Sequence, residues 1–261
     1  MRKINKNITF KKEEKSLFVL PHLDDEFAMA PLIKKIGRCE DNPITIVYCA
    51  ERLTDEARLQ KRRRKECYES INSLGLMNVK IIFLNDHFPI NDLKLYHSAQ
   101  NIFLYLKEYC EHHDISQMIT VSLEGGHPDH DALALIIKKL KLRTKIRTHY
   151  IPLYNNRKSI EIIPISVFRP LKNQANKFYP IKLSIFCWWV SIKIAMIYSS
   201  ERKAFLKLFP FICIQTLFSK SILASNDIDF VSVNWKNSLT LTRYKCDPFI
   251  IFNEIEVLNE I

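Results

Sequence analysis

The chain has 261 residues, 47% of them hydrophobic and 26% charged, which suits one large α/β domain or two small ones around a packed core. Its net charge of +11 favours anionic partners such as phosphorylated substrates, nucleic acid or an anionic membrane surface. Seven scattered cysteines without a Cys-x-x-Cys spacing argue against a disulfide framework or a cysteine-rich zinc site, and for a reducing cytoplasm.

The first twenty residues carry charges almost to their end, so no signal-peptide apolar region fits there. Ser16–Leu20 is a short apolar run, as in a buried parallel strand. A helix follows and stops near Gly37; Pro31 suits its first turn better than its interior, which leaves the start open. Ile44–Cys49 reads as the second strand, and Thr54–Leu74 as a long helix with Thr54 as N-cap and Gly75 as C-cap. Val79–Leu84 is a third strand, Leu93–His112 a second long helix and Met118–Ser122 a fourth strand. The loop Glu124-Gly125-Gly126 leads to a helix over Asp131–Leu142.

This alternation predicts a Rossmann-like α/β fold, a doubly wound parallel sheet with helices on both faces. After Tyr150 the pattern loosens around Pro152, Pro164, Pro170 and Pro180. An apolar helix is expected from Lys182 to Phe209, and short strands in residues 229–252. We read 1–261 as one domain, with a core over about 15–150 and an irregular C-terminal lobe over about 151–261 that shapes the substrate. The most apolar stretch, Leu183–Tyr198, contains Lys193 and is shorter than the ~20 residues a spanning helix needs, so a soluble, cytoplasmic protein is expected.

Two segments carry chemistry: His22-Leu23-Asp24-Asp25-Glu26 and His127-Pro128-Asp129-His130. Each follows a predicted strand. If the strand order is 3-2-1-4, the two strands are neighbours where the order reverses, and the segments meet at the ligand-binding edge. His22, Asp25 and His130 then make a His₂-carboxylate set for a divalent metal, with one position left for water. Asp24 can take a proton from that water, and His127, as an imidazolium, can stabilise an oxyanion or protonate a leaving amine. Taken singly, the acidic run is ordinary helix-capping chemistry and the second segment a polar turn.

These residues resemble the PIG-L/LmbE-like N-deacetylases, zinc enzymes that remove acetyl groups from N-acetylglucosaminyl and related amides, over roughly residues 15–142. The family has His-Pro-Asp-Asp-Glu and His-Pro-Asp-His at these places. The resemblance implies His22, Asp25 and His130 as ligands, Asp24 as general base, His127 as an aid to the tetrahedral intermediate, and Asp129 as the residue that orients or tunes it. Arg63-Arg64-Lys65-Glu66 with Leu74-Gly75 is similar to the family's Arg-x-x-Glu helix. Arg63 lies on that helix's apolar stripe, so it needs an anionic partner: Glu66 at i+3, or a substrate phosphate or hydroxyl. Arg62, Arg64 and Lys65 are expected to be solvated. Lys193-Ile-Ala195-Met-Ile-Tyr198-Ser-Ser200 is similar to a later family segment, with Glu201 in place of the family's Gln. Leu23 replaces the family's Pro, and Ala50-Glu51-Arg52 stands where a glycine-containing loop is usual.

The implied reaction is zinc-dependent (or other divalent-metal-dependent) hydrolysis of an N-acetylated sugar to acetate and a free amine. The basic surface suits a phosphorylated, nucleotide-linked or lipid-linked sugar, and peripheral contact at the inner face of a membrane. Two other readings compete. Pro128-Asp129-His130-Asp131-Ala132 superficially resembles a segment of DHH-type phosphoesterases, but the Asp-His-His run those enzymes need is missing. A non-catalytic basic protein that binds nucleic acid, another anion or a membrane, with a vestigial site, is the other; it predicts lost ligands, whereas all three are present. No aromatic-rich basic motif for nucleic-acid readout occurs. Trp188-Trp189 is assigned to the core, with contact to lipid or a substrate lip as the alternative.

Overall fold

A computed structural model describes residues 14–38, 43–51, 57–155, 166–218 and 221–259. The first half runs β1 (Ser16–His22), α1 (Glu26–Gly37), β2 (Ile44–Ala50), α2 (Ala57–Asn72), β3 (Val79–Phe83), α3 (Ala99–His112), β4 (Gln117–Val121), α4 (Pro128–Arg143) and β5 (Arg147–Ile151). The second half adds β6 (Tyr154–Asn155), β7 (Ser166–Val167), β8 (Phe178–Lys182), α5 (Ile185–Ile197), α6 (Arg202–Phe218), β9 (Ser221–Ser225), α7 (Leu239–Thr242) and α8 (Pro248–Glu256).

The main sheet has seven strands in the order β3-β2-β1-β4-β5-β9-β8. The first five are parallel, and β1 pairs with both β2 and β4, as the 3-2-1-4 order requires. The strands are buried on both faces, with Phe18 and Leu20 packed into one core layer and Leu17 and Val19 into the other. Helices α1 and α5 cover the first layer, and α3, α4 and α8 the second.

The C-terminal part is more regular than the sequence pattern suggests. Strands β9 and β8 extend the same sheet with antiparallel pairing, and α5 packs directly on α1. β5 follows at once on the basic run and was not visible as a strand of its own; its alternating apolar and polar residues are buried because β4 and β9 flank it.

Four expectations are corrected by tertiary contacts. The α3 segment does not begin at Leu93, whose φ of 67° is left-handed; the backbone N–H groups of Leu93 and Leu95 donate instead to the Asp129 carboxylate, and a 3₁₀ turn intervenes before Ala99. Pro31 lies inside α1, at the loss of one helical hydrogen bond. The single apolar helix over 182–209 is two helices, because Ser199 and Ser200 break off to bind the Glu66 carboxylate. Residues 229–252 form no strands; Asp247 accepts from the Phe249 N–H at 2.9 Å and caps α8, with Pro248 in its first turn. Thr54 and Arg52 lie outside the described residues.

Trp188 is fully buried, whereas Trp189 is exposed, a split the paired indoles conceal in sequence. Cys49, Cys67, Cys110, Cys213 and Cys246 are free thiols. Among the described residues, no helix is long and apolar enough to cross a membrane.

Candidate active site

The carboxyl ends of β1 and β4 lie side by side, and each strand hands its polar segment to the turn that follows. His22 ends β1, and Asp24 holds a φ of 123°, a strained value for a residue with a side chain. The strain has an anchor: Glu26 accepts the Asp24 backbone N–H at 3.1 Å and is itself held by the hydroxyls of Ser70 and Tyr198, each at 2.6 Å. On the other side Pro128 opens α4, and His127 precedes it as N-cap.

The two segments meet. His22 Nε2 donates to Asp129 Oδ2 at 2.9 Å, and Nδ1 faces Asp25 Oδ2, 3.4 Å away. His130 Nε2 approaches the same Asp25 oxygen at 3.4 Å. Two imidazoles and a carboxylate oxygen thus converge, an arrangement that repels itself unless a proton or cation stands among them. The donor chemistry fits a zinc-like divalent ion, and the Asp129–His22 hydrogen bond is the carboxylate support that metal-binding histidines usually have. His127 brings a third imidazole, its ligand atom within 4.8 Å of those of His22 and His130. A second grouping, His22 with Asp92 and Asp129, is already engaged: Asp129 accepts from His22, Leu93 and Leu95 together.

The electrostatics agree with a cluster in need of positive charge. Burial disfavours the His22 imidazolium, yet the carboxylates of Asp129, Asp25 and Asp92 raise its pKa well above the ordinary value. Burial works against ionised Asp25 too, but His130 and His22 outweigh it and hold this carboxyl well below the usual range. Enclosure in the pocket pushes Asp24 well up, and the nearby Asp25 and Glu201 carboxylates add to that against Arg63 and His22.

His127 departs from expectation. Burial first, then the neighbouring His22 and His130, hold its pKa well below normal, so it is neutral and not an imidazolium. Its Nδ1 accepts the Asp129 backbone N–H at 3.2 Å, which assigns the ring proton to Nε2. The Asp129 carboxylate therefore bonds to His22, while the Asp129 backbone N–H bonds to His127.

Arg63 is nine-tenths buried, as its place on the apolar stripe of α2 predicts, but its partner is not Glu66. It pairs with Glu201 at 3.3 Å and donates to the Leu23 carbonyl at 3.2 Å, while its Nε has no partner among the described residues. Glu66 instead binds Arg62, Ser199 and Ser200. Arg64 is not simply solvated: it makes a forked contact with Glu51, reaches Asp86 at 2.6 Å and lies over the Phe83 ring. The three separated segments around Glu26, Arg63–Glu66 and Tyr198–Glu201 are thereby tied into one wall.

These groups face a pocket of about 290 Å³. Its floor is His22, Asp24, Asp25, His127 and His130; Arg63, Asp92 and Glu201 form its polar side. The far side comes from residues that the motifs do not include: Tyr154 after β5, Phe205, Lys207 and Leu208 on α6, and Arg243 and Tyr244. Tyr244 sets its ring edge-on to His127 at 4.5 Å. Asp92 is a pocket carboxylate that sequence reading missed; it sits in an irregular turn with no motif around it, and the Asp129 carboxylate helps to hold that turn through the N–H groups of Leu93 and Leu95.

The loop that joins β4 to α4 has its own pins. Asp131 accepts from the backbone N–H groups of Glu124 and Gly125 and from the Thr240 hydroxyl. Glu124 accepts from the Leu153 N–H at 2.6 Å and the Asn155 amide at 2.9 Å, which fixes Tyr154 beside His130. A side chain at Gly126 would overlap the Tyr154 carbonyl oxygen.

Residues 17–141 match the model of the PIG-L family, described as GlcNAc-PI de-N-acetylase. No curated protein matches the chain. Among solved structures, it is similar to N,N'-diacetylchitobiose deacetylase from Pyrococcus horikoshii, with 17% identity, a TM-score of 0.57 and 82% of each chain covered. It is also similar to the zinc-inhibited form of the teicoplanin deacetylase Orf2, at 11% identity and a TM-score of 0.55 over 81% of this chain and 97% of that one. A third, GalB, the 4-carboxy-2-hydroxymuconate hydratase from Pseudomonas putida, has 11% identity and a TM-score of 0.51 over 81% of this chain and 94% of that one. At such identities the likeness speaks to the fold alone, and the fold serves a hydratase as well as deacetylases.

Proposed function

From a chain whose residues 17–141 match the PIG-L family model, we propose a metal-dependent N-deacetylase that removes an acetyl group from an N-acetylated sugar or glycoconjugate, releasing acetate and a free amine. The observation that carries this reading is the convergence of His22 Nδ1 and His130 Nε2 on one oxygen of Asp25, with Asp24 beside them at the floor of a pocket.

In this reading His22, Asp25 and His130 hold the metal, with zinc as the first choice for two imidazoles and a carboxylate. A divalent ion bound there supplies an acidified water and polarises the acetyl carbonyl. Asp24 takes the proton from the attacking water and passes it to the departing amine. Neutral His127 donates its Nε2–H to the carbonyl oxygen as negative charge grows there. Asp129 is a positioning residue, which fixes the His22 tautomer and the turn that carries Asp92. Arg63, with Glu201 against it, presents a donor and an acceptor to sugar hydroxyls.

The pocket size suits one sugar ring. Lys207 and Arg243 at its far side favour a substrate with phosphate beyond that ring, whether nucleotide-linked or lipid-linked. Residues 151–261 belong to the same domain in this reading, because they supply that far side and the last two strands of the sheet. A cytoplasmic protein fits the free thiols.

The test is to measure bound metal on the purified protein, then acetate release from a panel of N-acetyl sugars, with His22→Ala as the control. Acetate release that requires metal and His22 is expected. Zinc-loaded protein that releases no acetate from any N-acetyl sugar overturns the reading.

A further inference from the structure

Helices α5 and α6 present an apolar and basic face beside the mouth of the pocket. Trp189, Lys193 and Met196 recur at helical spacing on the outside of α5, and Trp189 is 52% and Met196 75% exposed. On α6, Leu206 is 64% and Phe209 40% exposed. Met196, Leu206 and Phe209 line one groove of about 300 Å³ with Arg202, and Phe205 belongs both to this groove and to the active-site pocket.

A water-facing helix pair has no use for large apolar side chains gathered in this way, so the face has a partner. Charge identifies the kind. Residues 182–218 contain five basic residues, Lys182, Lys193, Arg202, Lys203 and Lys207, and one acid, Glu201. Glu201 is turned inward to Arg63. Arg202, Lys203 and Lys207 make no ion pair among the described residues. Exposed Trp, Met, Leu and Phe rimmed by uncompensated Lys and Arg is the composition of an element that lies in the interface of an anionic bilayer.

We propose that this α5–α6 face docks on an anionic membrane surface, with the apolar groups in the acyl boundary and the basic groups among the lipid headgroups. Docking would set the pocket mouth at the membrane, since Phe205 joins the two. The proposal stands on the surface alone and does not require the deacetylase reading.

The full chain is tested by sedimentation with vesicles of phosphatidylcholine, alone and in an equal mixture with phosphatidylglycerol. Binding to the mixed vesicles is expected, with Trp fluorescence shifted to the blue as Trp189 leaves water, and with loss of binding as salt rises. Lys203→Glu should weaken partition by about tenfold or more. The double variant Met196→Ser, Leu206→Ser should weaken it by about a hundredfold. Both should keep the thermal midpoint and any activity on soluble substrate, which separates lost docking from lost folding. Absence of binding, equal binding to phosphatidylcholine alone, or binding that neither variant weakens overturns the proposal. So does a concentration-dependent dimer that the double variant dissolves, because a second copy of the chain then covers the face.

Discussion

His22 Nε2 donates to Asp129 Oδ2 at 2.9 Å across 107 residues of sequence. This one hydrogen bond decides which nitrogen of His22 faces Asp25 and His130. The same carboxylate holds the N–H groups of Leu93 and Leu95, so it supports both His22 and the turn that carries Asp92. Asp129→Asn keeps the shape but can turn its amide toward His22 and lose the tautomer. Zinc affinity is expected to fall by about 10–100-fold, measured by competition with a chelator, with the fold unchanged by circular dichroism.

Asp24 and Asp25 are adjacent, yet their environments drive their carboxyl pKa values in opposite directions. In the proposed function that divergence would separate proton carrier from ligand. Asp24→Asn should retain bound metal and lose about 10²–10⁴-fold in kcat for acetate release. Asp25→Asn should lose metal as well. Equal metal loss in the two variants would show that Asp24 is a ligand.

Arg63 is buried against Glu201, and each lines the pocket. Arg63→Ala removes a charged donor from the substrate and should lower kcat/KM by about 10–100-fold, mainly through KM. Arg63→Lys should not restore it, because a single ammonium cannot reach the Leu23 carbonyl and Glu201 in the same fork. Glu201→Ala combined with Arg63→Ala should cost less than the sum of the two, as coupled neighbours do.

Glu124, which pins the loop behind Tyr154, gives a pH dependence of its own. Burial raises its pKa to about 8, against its ordinary value of 4.5, in spite of the hydrogen bonds from Leu153 and Asn155. Between those two values the folded protein holds a proton that the unfolded chain releases. Its contribution is therefore full below the ordinary carboxylate range and is lost as pH rises toward 8. Wild-type stability in urea should fall from pH 5 to pH 8 with a slope of up to about 1.4 kcal/mol per pH unit from this group. Glu124→Gln should remove that part of the slope; an unchanged slope would show that Glu124 stays ionised.

The parallel half of the fold was legible because its strands are continuous apolar runs and its helices have clear stripes. The order 3-2-1-4 then followed as the usual way to wind such units. Residues 229–252 misled because short apolar runs fit strand and helix equally; the Asp247-Pro248 start of α8 was the signal that would have separated them. The break between α5 and α6 carried no such signal. It exists because Ser199 and Ser200 bind Glu66, more than 130 residues earlier in the chain.

By itself the sequence determined the layer architecture and the residues that gather at the candidate site: His22, Asp24, Asp25, His127, Asp129 and His130 at two strand ends, and an Arg63 that had to be buried. Periodicity and residue type carry that information locally. Only the tertiary structure decided who partners whom. It assigned Asp129 to His22, Glu201 to Arg63 and Glu66 to the serines, made His127 neutral, and closed the pocket with Tyr154, Phe205 and Tyr244. Those choices depend on distances and burial between segments far apart in the chain, and a local pattern does not contain them.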